Sequence, residues 1–277
     1  LVGSEMCIRD SDIINPNGLA YVIVSMIPFF YYLANLTWKN KFLFLLAIPV
    51  FLYALALTAS RSGFVALLVV YAGIILKSKK RLLLAILGVV IALILFARLS
   101  PDLQERYISI IDPTTQHSDT ARGRIEGIKK SFEIAMHKPL FGHGIGTNGE
   151  ATWNVRRWTV ISHILYGEIA IEIGFIGLLI FLVFMKNIVT GFAESQKTLM
   201  EKMPGNNFLM AMNNSMQVLL LMNIAFSFAS YGLSGYAWYL LAGLSVVMKN
   251  LTEANENTEA VRHIKLVPTL PLQNYNY

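Results

Sequence analysis

Seven apolar runs, at residues 18–36, 42–57, 63–76, 82–97, 161–185, 208–229 and 236–248, leave this chain little choice of architecture. A helix needs about 20 apolar residues to cross a hydrocarbon layer about 30 Å thick, where backbone groups must find their partners within the protein. Several of the runs are shorter, so their flanks must help or the helices must be locally irregular. Asn15, Pro16 and Asn17 suit a helix start before the first run, and Pro28 and Pro49 can kink the helices that contain them. With 55% apolar and 14% charged residues and a mean hydropathy of +0.53, the chain is too apolar for a soluble globule. The sequence predicts an all-α membrane protein, a polytopic bundle of about seven transmembrane helices.

The charges between the runs orient the bundle. Lys39 and Lys41, then Lys77, Lys79, Lys80 and Arg81, then Lys186, Lys197 and Lys202 occupy alternate connections, which places those connections in the cytoplasm. Residues 60–62, 99–160 and 231–235 then share the outer face. A net charge of +6 is used in this way, and no nucleic-acid partner is implied. Residues 13–98 are expected to hold the first four membrane helices, 99–160 one large extracytoplasmic loop, and 161–249 the last three. Residues 250–277, polar and without a clear period, are expected to be a disordered cytoplasmic tail.

The first eleven residues, LVGSEMCIRDS, resemble a translated sequencing-adapter remnant, and residues 1–12 are set aside as a start expected not to be native. The orientation makes the first helix enter from outside, so native sequence is expected upstream. Setting this start aside removes Cys7, the one cysteine, and an Asp10-Ser11-Asp12 string that would imitate a metal-dependent, nucleotide-sugar motif.

In the large loop, Ile125, Ile128, Phe132 and Ala135 recur at helical spacing, with Glu126 and Lys130 at i,i+4 on another face. Asp119 or Thr120 can cap this amphipathic helix and Pro139 ends it. Gly144, Gly146 and Gly149 then spell G-x-G-x-x-G. No strand precedes them, so they read as a turn-rich loop or as backbone amides grouped to receive a phosphate.

The helix that follows carries His163 at its outer boundary. His163, Gly167, Ala170, Gly174 and Gly177 fall three or four apart, a stripe of small residues that would let another helix come close. Glu168 and Glu172 lie on a different face, and a carboxylate inside an apolar run requires either a polar neighbour or a function.

Four features occur in a fixed order: Asn15-Pro16-Asn17 heading a helix, Thr58-Ala59-Ser60-Arg61-Ser62-Gly63 opening another, Arg124 before an amphipathic helix ending in Pro139-Leu140-Phe141-Gly142-His143-Gly144, and His163 followed by Glu172-Ile173-Gly174. Together they resemble the O-antigen ligase and Wzy-polymerase family of membrane glycosyltransferases, over about residues 15–249. Ile164 departs from the pattern, since the family usually has Asn after the histidine.

The resemblance implies transfer of glycan from an undecaprenyl-diphosphate-linked donor to an acceptor hydroxyl, on lipid A core or on another glycan. It implies a bacterial inner membrane, membrane lipids as surroundings, a periplasmic active face, and neither metal nor cofactor. A diphosphate leaving group suits the permanent, forked charge of arginine, and Arg61 and Arg124 are the matching positions. A poor hydroxyl nucleophile needs a base; His163 is the first choice, His143 the second and His117 a distant third. Arg122, Arg156, Arg157, Gly144, Gly146 and Glu172 are further candidates for holding substrate. The same arginines would also serve by snorkelling to headgroups or by pairing with the loop's acids. A transporter or flippase for lipid-linked glycans is the alternative; its polar residues would line a cavity at the midplane, where Asn213, Asn214, Gln217 and Asn223 on one helix are the main supply.

Overall fold

The computed structural model describes residues 16–97, 104, 119–156, 164–228, 233 and 235–266. Among these residues every regular element is a helix: α1 (Pro16–Ala34), α2 (Trp38–Leu57), α3 (Arg61–Lys77), α4 (Arg81–Ala97), α5 (Asp119–Ala135), α6 (Asn148–Arg156), α7 (Leu165–Lys202), α8 (Asn207–Phe226) and α9 (Tyr236–Leu266). Each of the seven apolar runs falls on one of them. Pro16 opens α1, where its missing N–H is not needed. The Thr37 hydroxyl accepts from the Asn40 N–H at 3.2 Å to start α2, and Asn206 Oδ1 accepts from Leu209 N–H at 3.1 Å to start α8.

By length and composition, α1, α2, α7 and α8 can cross a membrane. α3 and α4, at 17 residues each, are shorter. α2 is apolar all round and leaves Phe42, Leu45, Leu46, Val50 and Tyr53 exposed, which is the surface of a helix whose solvent is lipid. α5 differs in kind, being charged, and it packs on α7 through buried Ile134 and Ala135 against Ala170 and Ile171.

The core is built around α1 and α8. α1 packs on α2, α3 and α8, while α8 also meets α3, α7 and α9. Val24, Val70, Ile169, Ile188, Phe192, Val218, Met222 and Leu241 fill the space between them. At Gly63 the approach of α3 to α1 is so close that a Cβ would strike the Ala20 methyl. Trp238 of α9 meets the Phe181 ring edge-on, with centroids 5.5 Å apart.

A polar layer lies near Lys77, at the C-terminal end of α3. Asn213 Nδ2 donates to the Phe192 carbonyl at 3.1 Å and to Gln196 Oε1 at 2.8 Å, and Gln217 Nε2 donates to the same carbonyl at 3.0 Å. Lys77 Nζ donates to Asn214 Oδ1 at 3.1 Å. The amides of α8 thus hold α3, α7 and α8 together.

α9 differs from the sequence expectation. It continues to Leu266, so residues 250–266 are helical where a disordered tail was expected, and Thr252 is buried with its hydroxyl donating to the Lys249 carbonyl. Extending an existing helix costs far less than nucleating one, and weakly periodic sequence can follow.

Candidate functional site

The motifs around Asn17 and around Arg61 are far apart in sequence and join in space. Asn17 Oδ1 accepts from the Ser60 hydroxyl at 2.6 Å and from the Ser62 hydroxyl at 2.9 Å. Ser60 Oγ also accepts from the Gly63 N–H at 3.0 Å, which caps α3. The turn before it puts Ala59 at φ +49°, an uncommon conformation for a residue with a side chain. The Thr58 hydroxyl stabilises that turn by donating to the Leu55 carbonyl at 2.7 Å and accepting from the Ser60 N–H at 3.2 Å. Arg61, half-buried, follows as the first residue of α3. Neither α1 nor α3 has an acidic residue in its first turn. Two helix N-termini therefore meet there, with Arg61 as the first residue of one of them.

Hydrogen bonds lead from this point across the same end of the bundle. Tyr21, one turn into α1, donates its hydroxyl to Asn223 Oδ1 of α8 at 2.8 Å. The Ser227 carbonyl, at the end of α8, accepts from the Leu165 N–H at 3.1 Å. The starts of α1, α3 and α7 and the end of α8 are stitched together there.

Ten residues into it, α7 breaks. Gly174 adopts φ +71°, ψ −174°, and the loop after α5 docks on the break. The His143 and Gly144 N–H groups donate to the Ile171 and Glu172 carbonyls, both at 2.8 Å, and the Phe175 N–H donates to the Pro139 carbonyl at 2.7 Å. Gly142 also takes φ +71° and lies against Gly174. A Cβ on Gly142 would meet the Glu172 carbonyl and come within 2.6 Å of the Gly174 nitrogen; one on Gly174 would meet Leu140 and come within 2.7 Å of the Gly142 nitrogen. Carbonyls that the break would leave without donors are satisfied by the loop.

Accordingly one reading of the sequence changes and another is decided. The small-residue stripe receives α5, α6 and the glycine loop rather than another membrane helix, with Ala170 packed near Ile134, Ala135 and Ala151, and Gly174 is a break within that stripe. Of the two readings of the glycine string, a turn-rich loop or amides open to phosphate, the loop fits Gly144, which spends its N–H on the Glu172 carbonyl. The string was legible, but not that α7 would compete for its donors.

His143 is half-buried beside this clasp, with Nε2 3.3 Å from the Ile134 carbonyl. A carbonyl can only accept, so this contact is a hydrogen bond when Nε2 carries a proton. Glu172 is 4% exposed, and its carboxylate has no hydrogen-bond or ionic partner among the described residues; Glu168, one turn away, is also buried. Gly146 has φ +77° and open space on its Cβ side. Arg122 and Arg124 lie in α5 and Arg156 closes α6, but their side chains, and all of Arg157, His117 and His163, lie outside the described residues. Among the described residues no three His, Cys, Asp or Glu side chains converge as metal ligands would.

A family model described as O-antigen ligase, Wzy_C, matches residues 42–182, just over half of the chain. The chain belongs to the O-antigen ligase family. The match runs from α2 into α7 and so takes in the Arg61 turn, the amphipathic helix, the glycine loop and the break. No curated protein matches the chain. The family is one of glycosyl-transferring membrane enzymes. Sequence reasoning had missed Asn17 as a partner of Ser60 and Ser62, although both segments stood out separately; the link needs the packing of α1 on α3 to become visible.

Proposed function

We propose that the protein transfers or polymerises glycan from an undecaprenyl-diphosphate-linked donor onto an acceptor hydroxyl, at the periplasmic face of a bacterial inner membrane. The observation that carries this is the meeting of two helix N-termini with Arg61 at the end of the bundle where α7 also begins. Such a place suits a diphosphate, because helix N–H dipoles and a forked cation favour spread negative charge. Arg124 is the second candidate for that charge, with Arg122, Arg156 and Arg157 as further contacts and Glu172, Gly144 and Gly146 beside the sugar or carrier.

In this reading the acceptor oxygen attacks the anomeric carbon of the donor. Its O–H proton passes to a histidine nitrogen, and the carbon–oxygen bond to phosphate breaks with its electron pair leaving on the diphosphate. His163, two residues before Leu165 in sequence, is the proposed base, and His143 is the alternative. No metal or nucleotide sugar takes part. Seven membrane helices, with the loop of residues 99–160 on the periplasmic side, complete the topology.

Asn213 Nδ2, Gln217 Nε2 and Asn214 Oδ1, on the helix from which a transporter would build a midplane path, are engaged with Phe192, Gln196 and Lys77, which supports the enzymatic reading over a flippase. The test is an assay with purified protein in vesicles, a synthetic undecaprenyl-diphosphate oligosaccharide, an acceptor glycan and a chelator. Elongated acceptor is the expected product. Donor that crosses the bilayer with no transfer would overturn the reading.

A further inference from the structure

We infer that residues 138–146 form a re-entrant segment that dips into the membrane beside α7, with Leu140, Phe141 and Ile145 against lipid acyl chains. This rests on α7 crossing the membrane and not on the transfer reaction.

The depth follows from the register on α7. Lys186 is the first charged residue after the apolar part of α7, and twelve residues separate it from Gly174. At about 1.5 Å of rise per residue the break lies about 18 Å above Lys186, inside a layer about 30 Å thick. Pro139 bonds at the level of Phe175, and His143 and Gly144 bond at the levels of Ile171 and Glu172. The segment therefore descends to the break and climbs back along α7. Irregular backbone at such a depth must find its partners in protein, and here helix and loop complete each other.

The side chains fit the same placement. Leu140 is 59% exposed, Phe141 77% and Ile145 80%, an arrangement that water would oppose in a solvated loop. Just past the break in sequence, α7 exposes its own apolar side chains at Ile176, Leu179, Ile180 and Val183. The neighbouring exposed charge is Lys138, whose four-carbon stem allows the ammonium to rise toward headgroups. The segment thus faces lipid on one side and carries Gly144, Thr147 and buried Asn148 on into α6.

The test uses the full chain with Cys7→Ser, reconstituted in phospholipid vesicles and spin-labelled at one introduced cysteine. The variants are Phe141→Cys, Ile145→Cys, Leu179→Cys as a lipid-facing reference and Lys197→Cys as an aqueous one. Collision with oxygen should exceed collision with a water-soluble nickel chelate at 141, 145 and 179, and the order should reverse at 197. A chelate-accessible label at 141 and 145, with 179 still in lipid, would overturn the inference alone. Aqueous behaviour at 179 as well would overturn it together with the spanning of α7.

Discussion

Gly142 and Gly174 lie back to back, both at φ +71°, so that neither has room for a Cβ and each braces the backbone of the other. Alanine at either position meets two penalties. The positive φ costs about 1–3 kcal/mol, Gly174 with ψ −174° lying in a region that glycine alone populates freely, and the added carbon strikes backbone that cannot rotate away. Gly142→Ala and Gly174→Ala should each lower the melting temperature in detergent clearly more than Gly146→Ala, whose Cβ would enter open space. Equal melting of all three would refute the clasp.

The cap on α3 makes a local prediction. Ser60→Ala removes the oxygen that receives the Gly63 N–H, a loss of about 1 kcal/mol for a helix cap. Hydrogen exchange should quicken in the first turn of α3 and stay unchanged in α8. If the first turn keeps its protection, the hydroxyl is not the cap.

Arginine and lysine separate charge from geometry at Arg61 and Arg124. If each holds the diphosphate through a fork, Arg61→Lys and Arg124→Lys should impair transfer substantially while leaving the protein in the membrane. Lysine variants with full activity, beside inactive alanine variants, would reduce both residues to charge balance.

A general base contributes about 10²- to 10⁴-fold to rate. His163→Ala should lose transfer by that factor and keep its affinity for the lipid-linked donor, since the base acts on the acceptor hydroxyl. The acidic limb of the pH–rate profile should vanish with the imidazole. Normal turnover in His163→Ala with an inactive His143→Ala would move the base to the clasp, and activity in both would end the general-base mechanism.

Topology can be read by cysteine labelling of intact cells in the Cys7→Ser background. An impermeant reagent should modify Glu150→Cys and leave Ser78→Cys untouched. The opposite pattern would invert the bundle.

The sequence showed the helices more readily than their joints. Apolar length and the Lys39, Lys77 and Lys186 groups suffice to locate α1 to α4 and α7 to α9, because a helix in lipid is decided by local composition. The joint at Gly174 was hidden because a glycine among apolar residues looks the same whether it admits a neighbouring helix or ends a turn. What decides between them is a second glycine 32 positions earlier and the carbonyls it faces. Arg61 was legible as a charged residue opening a helix; the role of Asn17 in fixing that opening depends on α1 and α3 lying side by side.

The bond from Asn17 to Ser60 and Ser62 also bears on how sequences of this kind can drift. One acceptor serves two hydroxyls that also lie 3.1 Å from each other, so losing it leaves the pair only one another to bond, while losing either serine leaves the other on Asn17. Among relatives, position 17 should therefore change less readily while both serines remain than either serine changes by itself. The order of substitution along lineages, rather than how often each residue recurs, is where that asymmetry would be visible.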